Sequence, residues 1–261
     1  MSDLKYWVWL SSLGGVRYRA KSLLIAHFGG VREAYFARRA DYDRLDFLNA
    51  DERAALENKS TEAANRALGV CAEKGISVIT MQDAAYPSRL NEIYDPPLVL
   101  YVAGKLPVVD DRCAVAVTGT RSATDYGIKM AERMGYGITK CGGLVVSGLT
   151  RGIDYAAARG ALLAGGGCIG VLGTAIDAPR DTLASDVAYY GALVSEYAPG
   201  APTRGSNLRR RNRITSGETG LDHIVDLAGH ARKPVGQALA LQLCNAAVIR
   251  QHLADEIGND I

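Results

Sequence analysis

Five arginines stand close together in a part of the sequence that has no acidic residue to balance them. The stretch from Tyr197 to Gly217 contains no Asp or Glu. Within ten of its residues lie Arg204, Arg209, Arg210, Arg211 and Arg213. Fixed guanidinium groups can follow the phosphates of a polyanion, because binding releases the counterions of the nucleic acid. We therefore favour a nucleic-acid contact over a plain solvated surface for this cluster.

Three other loops combine glycine with hydroxyl groups, a composition that suits phosphate. Thr118–Ser122 includes Gly119 and Arg121, although a tight turn with a surface arginine fits this loop equally well. Ser147–Asp154 precedes a predicted helix, whose dipole and free N–H groups attract anions. Gly173–Pro179 either lines the same crevice or turns into the next helix. None of these loops has the spacing of a Walker loop or of a GxGxxG dinucleotide motif.

Alternating strands and helices are predicted to bring all four segments to one edge of a sheet. The predicted strands are Ala114–Val117, Leu144–Val146, Cys168–Leu172 and Ala192–Val194, and the predicted helices are Tyr126–Lys140, Ile153–Ala164 and Asp181–Tyr189. Short apolar strands that alternate with helices indicate an α/β fold with a doubly wound, mostly parallel sheet. Each of the four segments follows a strand, and ligands of such sheets bind at the carboxyl ends of the strands.

The chain divides into three predicted parts: a helical module over residues 1–70, the sheet domain with its lead-in strands over 71–217, and a tail over 218–261. The module is predicted to contain helices at about Val31–Arg38, Asp41–Phe47 and Asp51–Cys71. Two further helices, on either side of the turn at Leu13–Val16, resemble a helix-hairpin-helix, which holds DNA phosphate through backbone N–H groups. Because Arg17 stands where that motif has its second glycine, we favour a plain packing role for the module.

Composition excludes several classes of protein. The 261 residues carry 30 Lys and Arg against 28 Asp and Glu, a balance that identifies no partner by itself. The five cysteines form no CxxC pair and have no histidine at zinc spacing, which favours reduced thiols, no metal site and a cytoplasmic location. The longest uncharged run, Gly160–Ile176, is glycine-rich and shorter than the roughly 20 apolar residues of a membrane helix.

The predicted loops offer little for acid–base catalysis. Glu196 is the one acid that we consider for this role, and we favour an ion pair with a nearby arginine instead. Asp154 either caps or balances the first turn of its helix. No histidine lies in any of the four segments. We therefore predict no catalytic residue.

Several of these segments together resemble the motifs of a known family. The segments Thr118–Arg121, Ser147–Asp154, Ser195–Tyr197 and Arg211–Ile214 resemble the signatures of the DprA/Smf family of DNA-processing proteins, and the resemblance extends from about residue 84 to 217. It implies an extended Rossmann domain that binds single-stranded DNA without cofactor, metal or catalysis. It also implies a homodimer and a RecA recombinase as partner in the protection and recombination of incoming DNA during natural transformation.

The resemblance assigns DNA contacts to loop and arginine-cluster residues. They are Gly119, Thr120, Arg121, Ser147, Gly148, Arg151, Gly152, Arg209, Arg211, Asn212 and Arg213. The sequence departs from the family pattern just before this last group, where Leu208 and Arg209 replace an aromatic residue and a proline. Leu208 cannot stack on a base, whereas the planar guanidinium of Arg209 can add charge or stack.

A larger departure follows Gly217, because the family's next strand and helix signatures are absent from the tail. The tail instead predicts a strand near His223–Leu227 and a helix over about Gly236–Ile257. Either the tail replaces part of the sheet, or the chain is a truncated or rearranged copy, in which case the dimer and the RecA contact are in question.

Two other interpretations of the sequence remain open: a nucleotide or nucleoside hydrolase on a related Rossmann domain, and a non-functional copy. Such hydrolases carry a Pro-Gly-Gly-x-Gly-Thr segment, which this sequence lacks. Single-stranded DNA binding is therefore the function that we expect.

Overall fold

The computed structural model of the chain describes residues 3–219 and 224–227. In this part of the chain, six helices precede the first strand. They are α1 (Leu4–Ser12), α2 (Tyr18–Phe28), α3 (Val31–Phe36), α4 (Arg39–Asp43), α5 (Ala50–Leu56) and α6 (Glu62–Glu73). The helix predicted over Asp41–Phe47 is therefore wrong in its bounds, because α4 ends at Asp43 and turns follow it.

The single helix predicted over Asp51–Cys71 is also wrong, because α5 and α6 are separate. Polar side chains between them bond to the backbone locally and compete with helical hydrogen bonds. The Asn58 side chain accepts from the N–H of Ser60 at 3.1 Å, and Ser60 Oγ accepts from the N–H of Glu62 at 3.5 Å. The charged and Ala-rich composition of the segment did not reveal this break.

The sheet has seven strands in the described residues, in the order β1-β2-β6-β5-β4-β3-β7. The strands are β1 (Ser77–Thr80), β2 (Val99–Gly104), β3 (Ala114–Gly119), β4 (Leu144–Ser147), β5 (Cys168–Leu172), β6 (Ala192–Ser195) and β7 (Ile224–Leu227). The pairs from β6 through β7 are parallel, whereas β2 pairs antiparallel with both β1 and β6. The predicted α/β fold with a mostly parallel sheet is confirmed.

Helices cover both faces of this sheet. They are α7 (Ser88–Asn91), α8 (Asp125–Lys140), α9 (Ile153–Leu163), α10 (Thr182–Tyr190) and α11 (Gly205–Thr219). Strand residues alternate between the two faces: Val145 of β4 joins the core under α8, α9 and α10, while Val146 joins the core under α7 and α11. The helical module shares the first of these cores, since Trp7 of α1 and Tyr101 of β2 belong to one buried cluster.

The strand predicted in the tail is confirmed, because β7 pairs with β3 from Ala116↔Ile224 to Gly119↔Leu227. The tail thus adds a parallel strand at the sheet edge. The helix predicted over about Gly236–Ile257 lies outside the described residues. Among the described helices, none combines the length and apolar character that crossing a bilayer requires.

Candidate nucleic-acid interface

The four predicted segments all begin at the carboxyl ends of neighbouring parallel strands. β3, β4, β5 and β6 end at Gly119, Ser147, Leu172 and Ser195, and their parallel pairing places these ends side by side. Four of the five clustered arginines belong to α11, and Arg204 directly precedes it; nine residues separate this helix from β6, and it packs against β3, β4 and β5. Topology therefore brings the predicted loops and the arginine helix to one region of the molecule.

Asp154 links the loop after β3 to the loop after β4 through hydrogen bonds. Its Oδ1 accepts from the N–H of Gly119 at 3.1 Å, and its Oδ2 accepts from Thr150 Oγ1 at 2.8 Å. A second link joins the same loops, because the N–H of Ile153 donates to the carbonyl of Thr120 at 3.2 Å. Asp154 is buried, so its charge serves this internal network and cannot act as a free base.

The loop after β4 has an unusual backbone conformation that fits this network. Leu149 has a φ of 50° and Gly152 a φ of 94°, both in the left-handed region. A Cβ on Gly152 would collide with the carbonyl of Thr120. Ser147 stabilises this turn, because its Oγ donates to the carbonyl of Asp154 at 2.7 Å and accepts from the N–H of Leu149 at 3.1 Å. Glycine at position 152 therefore allows the two loops to touch.

The linked loops expose cationic side chains and backbone donors. Arg121 and Arg151 are both exposed. The backbone N–H groups of Thr150 and Arg151 bond to no other residue in the described part of the chain, whereas Gly152 is buried. Together with the N-terminal end of the α9 dipole, these groups form a surface that attracts phosphate.

The residues predicted on α11 divide into exposed and enclosed groups. Arg209 and Asn212 are exposed, whereas Arg211 is only 3% exposed. The Arg211 Nη1 donates to the carbonyl of Val171 at 2.9 Å, and a Cβ on Gly148 would collide with its guanidinium. Burial lowers the pKa of Arg211, an effect that the Asp154 charge opposes. Arg211 thus braces α11 against β5 and the loop after β4, and a direct DNA contact by it stays a prediction.

Arg213 is engaged with carboxylate and carbonyl groups of the protein itself. Its Nη1 and Nη2 donate to the two oxygens of Glu196 at 3.0 and 2.7 Å, and its Nε donates to the carbonyl of Asp95 at 2.8 Å. Arg210 joins this network through a 2.7 Å bond to Asp95 Oδ2. The pairing favoured for Glu196 from the sequence is therefore confirmed, and this carboxylate is not free for catalysis.

Arg17, at the position that would be glycine in a helix-hairpin-helix, is 64% exposed but bonds to residues of the helical module itself. Its Nε and Nη2 donate to the two oxygens of Glu52 at 2.7 and 2.8 Å, and its Nη2 also donates to the carbonyl of Phe47. These contacts agree with the packing role favoured for this module. Arg17 hydrogen bonding holds the pKa of Glu52 at about 2.

Sequence reasoning overlooked two residues near these surfaces. Tyr126, the second residue of α8, is exposed beside the loop after β3, and its ring is available for stacking on a base. Its position two residues after the N-cap residue Thr124 was a usable signal, because the first turn of a helix lies next to the preceding loop. Lys21 of α2 is almost fully buried, and no pattern in the sequence distinguished it from a surface lysine.

Comparisons with known proteins identify the family to which this chain belongs. Residues 77–226 match the family described as DNA recombination-mediator protein A. The Smf protein of Synechocystis is 30% identical over 224 residues, which cover 83% of this chain and 56% of that protein. The DNA processing protein DprA of Bacillus subtilis is 33% identical over 156 residues, covering 58% of this chain and 52% of that protein. The chain thus spans about half the length of these curated relatives.

Two solved structures share the fold. The crystal structure of DNA processing protein A from Streptococcus pneumoniae has a TM-score of 0.71 at 20% identity, covering 100% of this chain and 94% of that one. DNA processing protein A from Helicobacter pylori, whose structure is described as showing a single-stranded DNA binding mode, has a TM-score of 0.52 at 24% identity, over 64% of this chain and 75% of that one. The family resemblance stated from the motifs is confirmed: the chain belongs to the DNA recombination-mediator protein A family.

Proposed function

We propose that this protein binds single-stranded DNA at the carboxyl edge of its sheet and takes part in DNA recombination without catalysing a reaction. The observation that carries the proposal is the pair of loops joined by Asp154, which exposes Arg121 and Arg151 beside the N-terminus of α9. The exposed Arg209 of α11 extends the cationic surface. These groups recognise phosphate and carry no information about base sequence.

A single strand suits this surface better than a duplex. Contacts to phosphate, together with an aromatic ring such as that of Tyr126, are the usual means of binding single strands without sequence preference. The description of the Helicobacter pylori relative as a single-stranded DNA binder supports the same choice. A nucleotide or nucleoside hydrolase is less well supported, because Asp154 and Glu196 are both held by internal bonds.

We further propose that the bound strand is transferred to a RecA recombinase and that the protein forms a homodimer. The support is the description of the family as a recombination mediator and the naming of the relatives as DNA-processing proteins. A strand-exchange reaction, in which RecA must displace single-strand-binding protein, tests the transfer. Light scattering with and without oligo-dT tests the dimer. A rate of exchange that the protein does not change would contradict the transfer.

The DNA-binding surface itself is tested by fluorescence anisotropy with labelled oligo-dT. Each charge-assisted phosphate contact is worth about 1.5–3 kcal/mol, so Arg121→Ala and Arg151→Ala should each weaken binding about tenfold or more. Each should also reduce the salt slope by about 0.7. The matched control is Arg112→Ala, since Arg112 is exposed but precedes β3 at the opposite edge of the sheet.

The proposal predicts that the control variant and a duplex competitor have little effect. If Arg112→Ala and Arg121→Ala weaken oligo-dT binding equally, binding follows overall charge. The assignment of the DNA-binding site to the carboxyl edge of the sheet would then be wrong. Equal affinity for duplex and single-stranded DNA would contradict the choice of substrate.

A further inference from the structure

A large cavity lies between the helical module and the loop that follows β6. Its volume is about 840 Å³, within the range of pockets that hold small ligands. The module contributes Tyr18, Lys21 and Arg66, and the sheet domain contributes Glu196 to Pro202, Arg204, Asn207 and Arg210. Neither Arg121 nor Arg151 lines it, so the cavity is separate from the proposed DNA-binding loops.

The charges around this cavity leave it cationic. Its two acids are already paired: Glu196 lies between Arg210 and Arg213, and Asp177 accepts from Lys74 at 3.4 Å and from the N–H of Gly200 at 2.9 Å. The cations that line the cavity are Lys21, Arg66, Arg204 and Arg210. Arg210 is already paired with Glu196 and Asp95, and Arg66 lies 3.9 Å from Glu62, which leaves Lys21 and Arg204 without an acidic partner among the described residues. An anionic ligand would therefore meet an excess of positive charge.

Lys21 is a buried cation with an incomplete set of partners. It is 2% exposed, its Nζ donates to the carbonyl of Ser11 at 2.8 Å, and it lies 4.7 Å from the centre of the Tyr18 ring. An ammonium group has three N–H donors. Burial lowers the pKa of Lys21 to about 7, an effect that Arg210 increases and that Glu196 and Asp95 oppose. A bound anion would stabilise its charged form.

The N-terminus of α11 opens into the same cavity. This helix of 15 residues has no acid in its first turn, so its dipole is not neutralised there. Asn207 is 7% exposed and lines the cavity, and its side-chain amide bonds to no residue in the described ranges. An amide that faces the cavity without a protein partner has two N–H donors to offer to a ligand. Asn207 and Lys21 therefore point independently to a ligand with strong acceptor oxygens.

We propose that this cavity is a second binding site, which takes the phosphate of a nucleotide at Lys21, Asn207 and the N-terminus of α11. The rest of the lining suits the base and sugar, because it is largely apolar and includes Val8, Leu13, Val70, Pro199 and Pro202. Two sources provide this chemistry: a free mononucleotide, or the phosphorylated 5′ end of a bound strand.

Isothermal titration with dTMP tests the free-nucleotide source, with thymidine as the control that lacks phosphate. Asn207→Asp keeps the size of the side chain and places a negative charge against the phosphate, so it should weaken dTMP binding at least tenfold. Lys21→Met is the second variant and should have the same effect, and the thermal midpoint of each variant shows whether it is folded. The variants Arg121→Ala and Arg151→Ala should leave dTMP binding unchanged.

The strand-end source is tested with oligo-dT that carries either a 5′ phosphate or a 5′ hydroxyl. If dTMP does not bind but the 5′-phosphorylated strand binds at least threefold more tightly, and Asn207→Asp abolishes that difference, the ligand is the strand end. If dTMP does not bind and the 5′ phosphate makes no difference, or if both folded variants behave as the unmodified protein, the site does not exist. Binding of the 5′-hydroxyl strand reports separately on the DNA-binding loops.

Discussion

Removing one partner of the Arg213–Glu196 ion pair should destabilise the protein strongly. The side chains are only 18% and 4% exposed, and two hydrogen bonds of 3.0 and 2.7 Å join them. Loss of one partner from a buried pair costs about 3–5 kcal/mol, because the remaining charge stays buried. Since Arg210 Nε remains 3.4 Å from Glu196 Oε1, we expect about 3 kcal/mol for Arg213→Met, the lower end of that range.

The measurement is a urea titration of Arg213→Met, Glu196→Gln and the double variant. The double variant should be less destabilised than the two single changes added together by about 1–3 kcal/mol, because neither charge is then left alone. In calorimetry the Arg213→Met change should lower the melting temperature by about 6–12 °C. Arg209→Met is the control, since Arg209 is exposed on the same helix, and its effect should stay within about 0.5 kcal/mol.

One result would refute the structural role of Arg213. If Arg213→Met leaves the free energy of unfolding within about 0.5 kcal/mol of the unmodified protein but weakens oligo-dT binding about tenfold, the side chain acts on DNA and not on Glu196. The ion pair would then be replaced by a phosphate contact when DNA binds. If the double variant is destabilised by the sum of the two single changes, that result would also contradict a direct interaction.

Three further substitutions test other contacts. Gly148→Ala should lower the free energy of unfolding by about 1–3 kcal/mol in urea titrations, because its Cβ would press on the enclosed Arg211; an unchanged midpoint would contradict this packing. Burial raises the pKa of Glu218 to about 8, so stability should fall as pH rises from about 4.5 to about 8; Glu218→Gln should remove this slope, and a slope that persists would point to another group. Because Arg17 holds the pKa of Glu52 at about 2, the free energy of unfolding should fall as pH drops from about 4.5 to about 2. Glu52→Gln should reduce this loss of stability at acid pH in the same titrations, and an unchanged loss would contradict the pairing.

The sheet was predictable from the sequence because its strands are buried on both faces. An apolar run such as Cys168–Leu172 has few alternatives, and β5 has the predicted bounds. The same logic found β3, β4 and β6, and it predicted that the loops lie at one edge of the sheet. It failed between α5 and α6, where local side-chain bonds to the backbone decide the structure and hydrophobic periodicity carries no information.

The inner face of α11 could not be predicted from hydropathy, because most of its buried residues are polar. Besides Gly217, they are Asn207, Arg211, Ile214, Thr215 and Glu218, which follow helical spacing. Residue type alone predicts that four of these five side chains are exposed to solvent. Only the partners show why they are inside: Val171 accepts from Arg211, while the Asn207 amide faces a cavity that two parts of the chain form together. Such partners are distant in sequence and leave no local signal.

The same reasoning changes what the arginine cluster means. An acid-free stretch of sequence suggests five free positive charges, yet charge balance is decided in three dimensions. Asp95 and Glu196, which lie outside the cluster, pair with Arg210 and Arg213. The positive charge of the proposed DNA-binding surface is therefore assigned to exposed arginines on several segments. The paired arginines instead hold α11 in place.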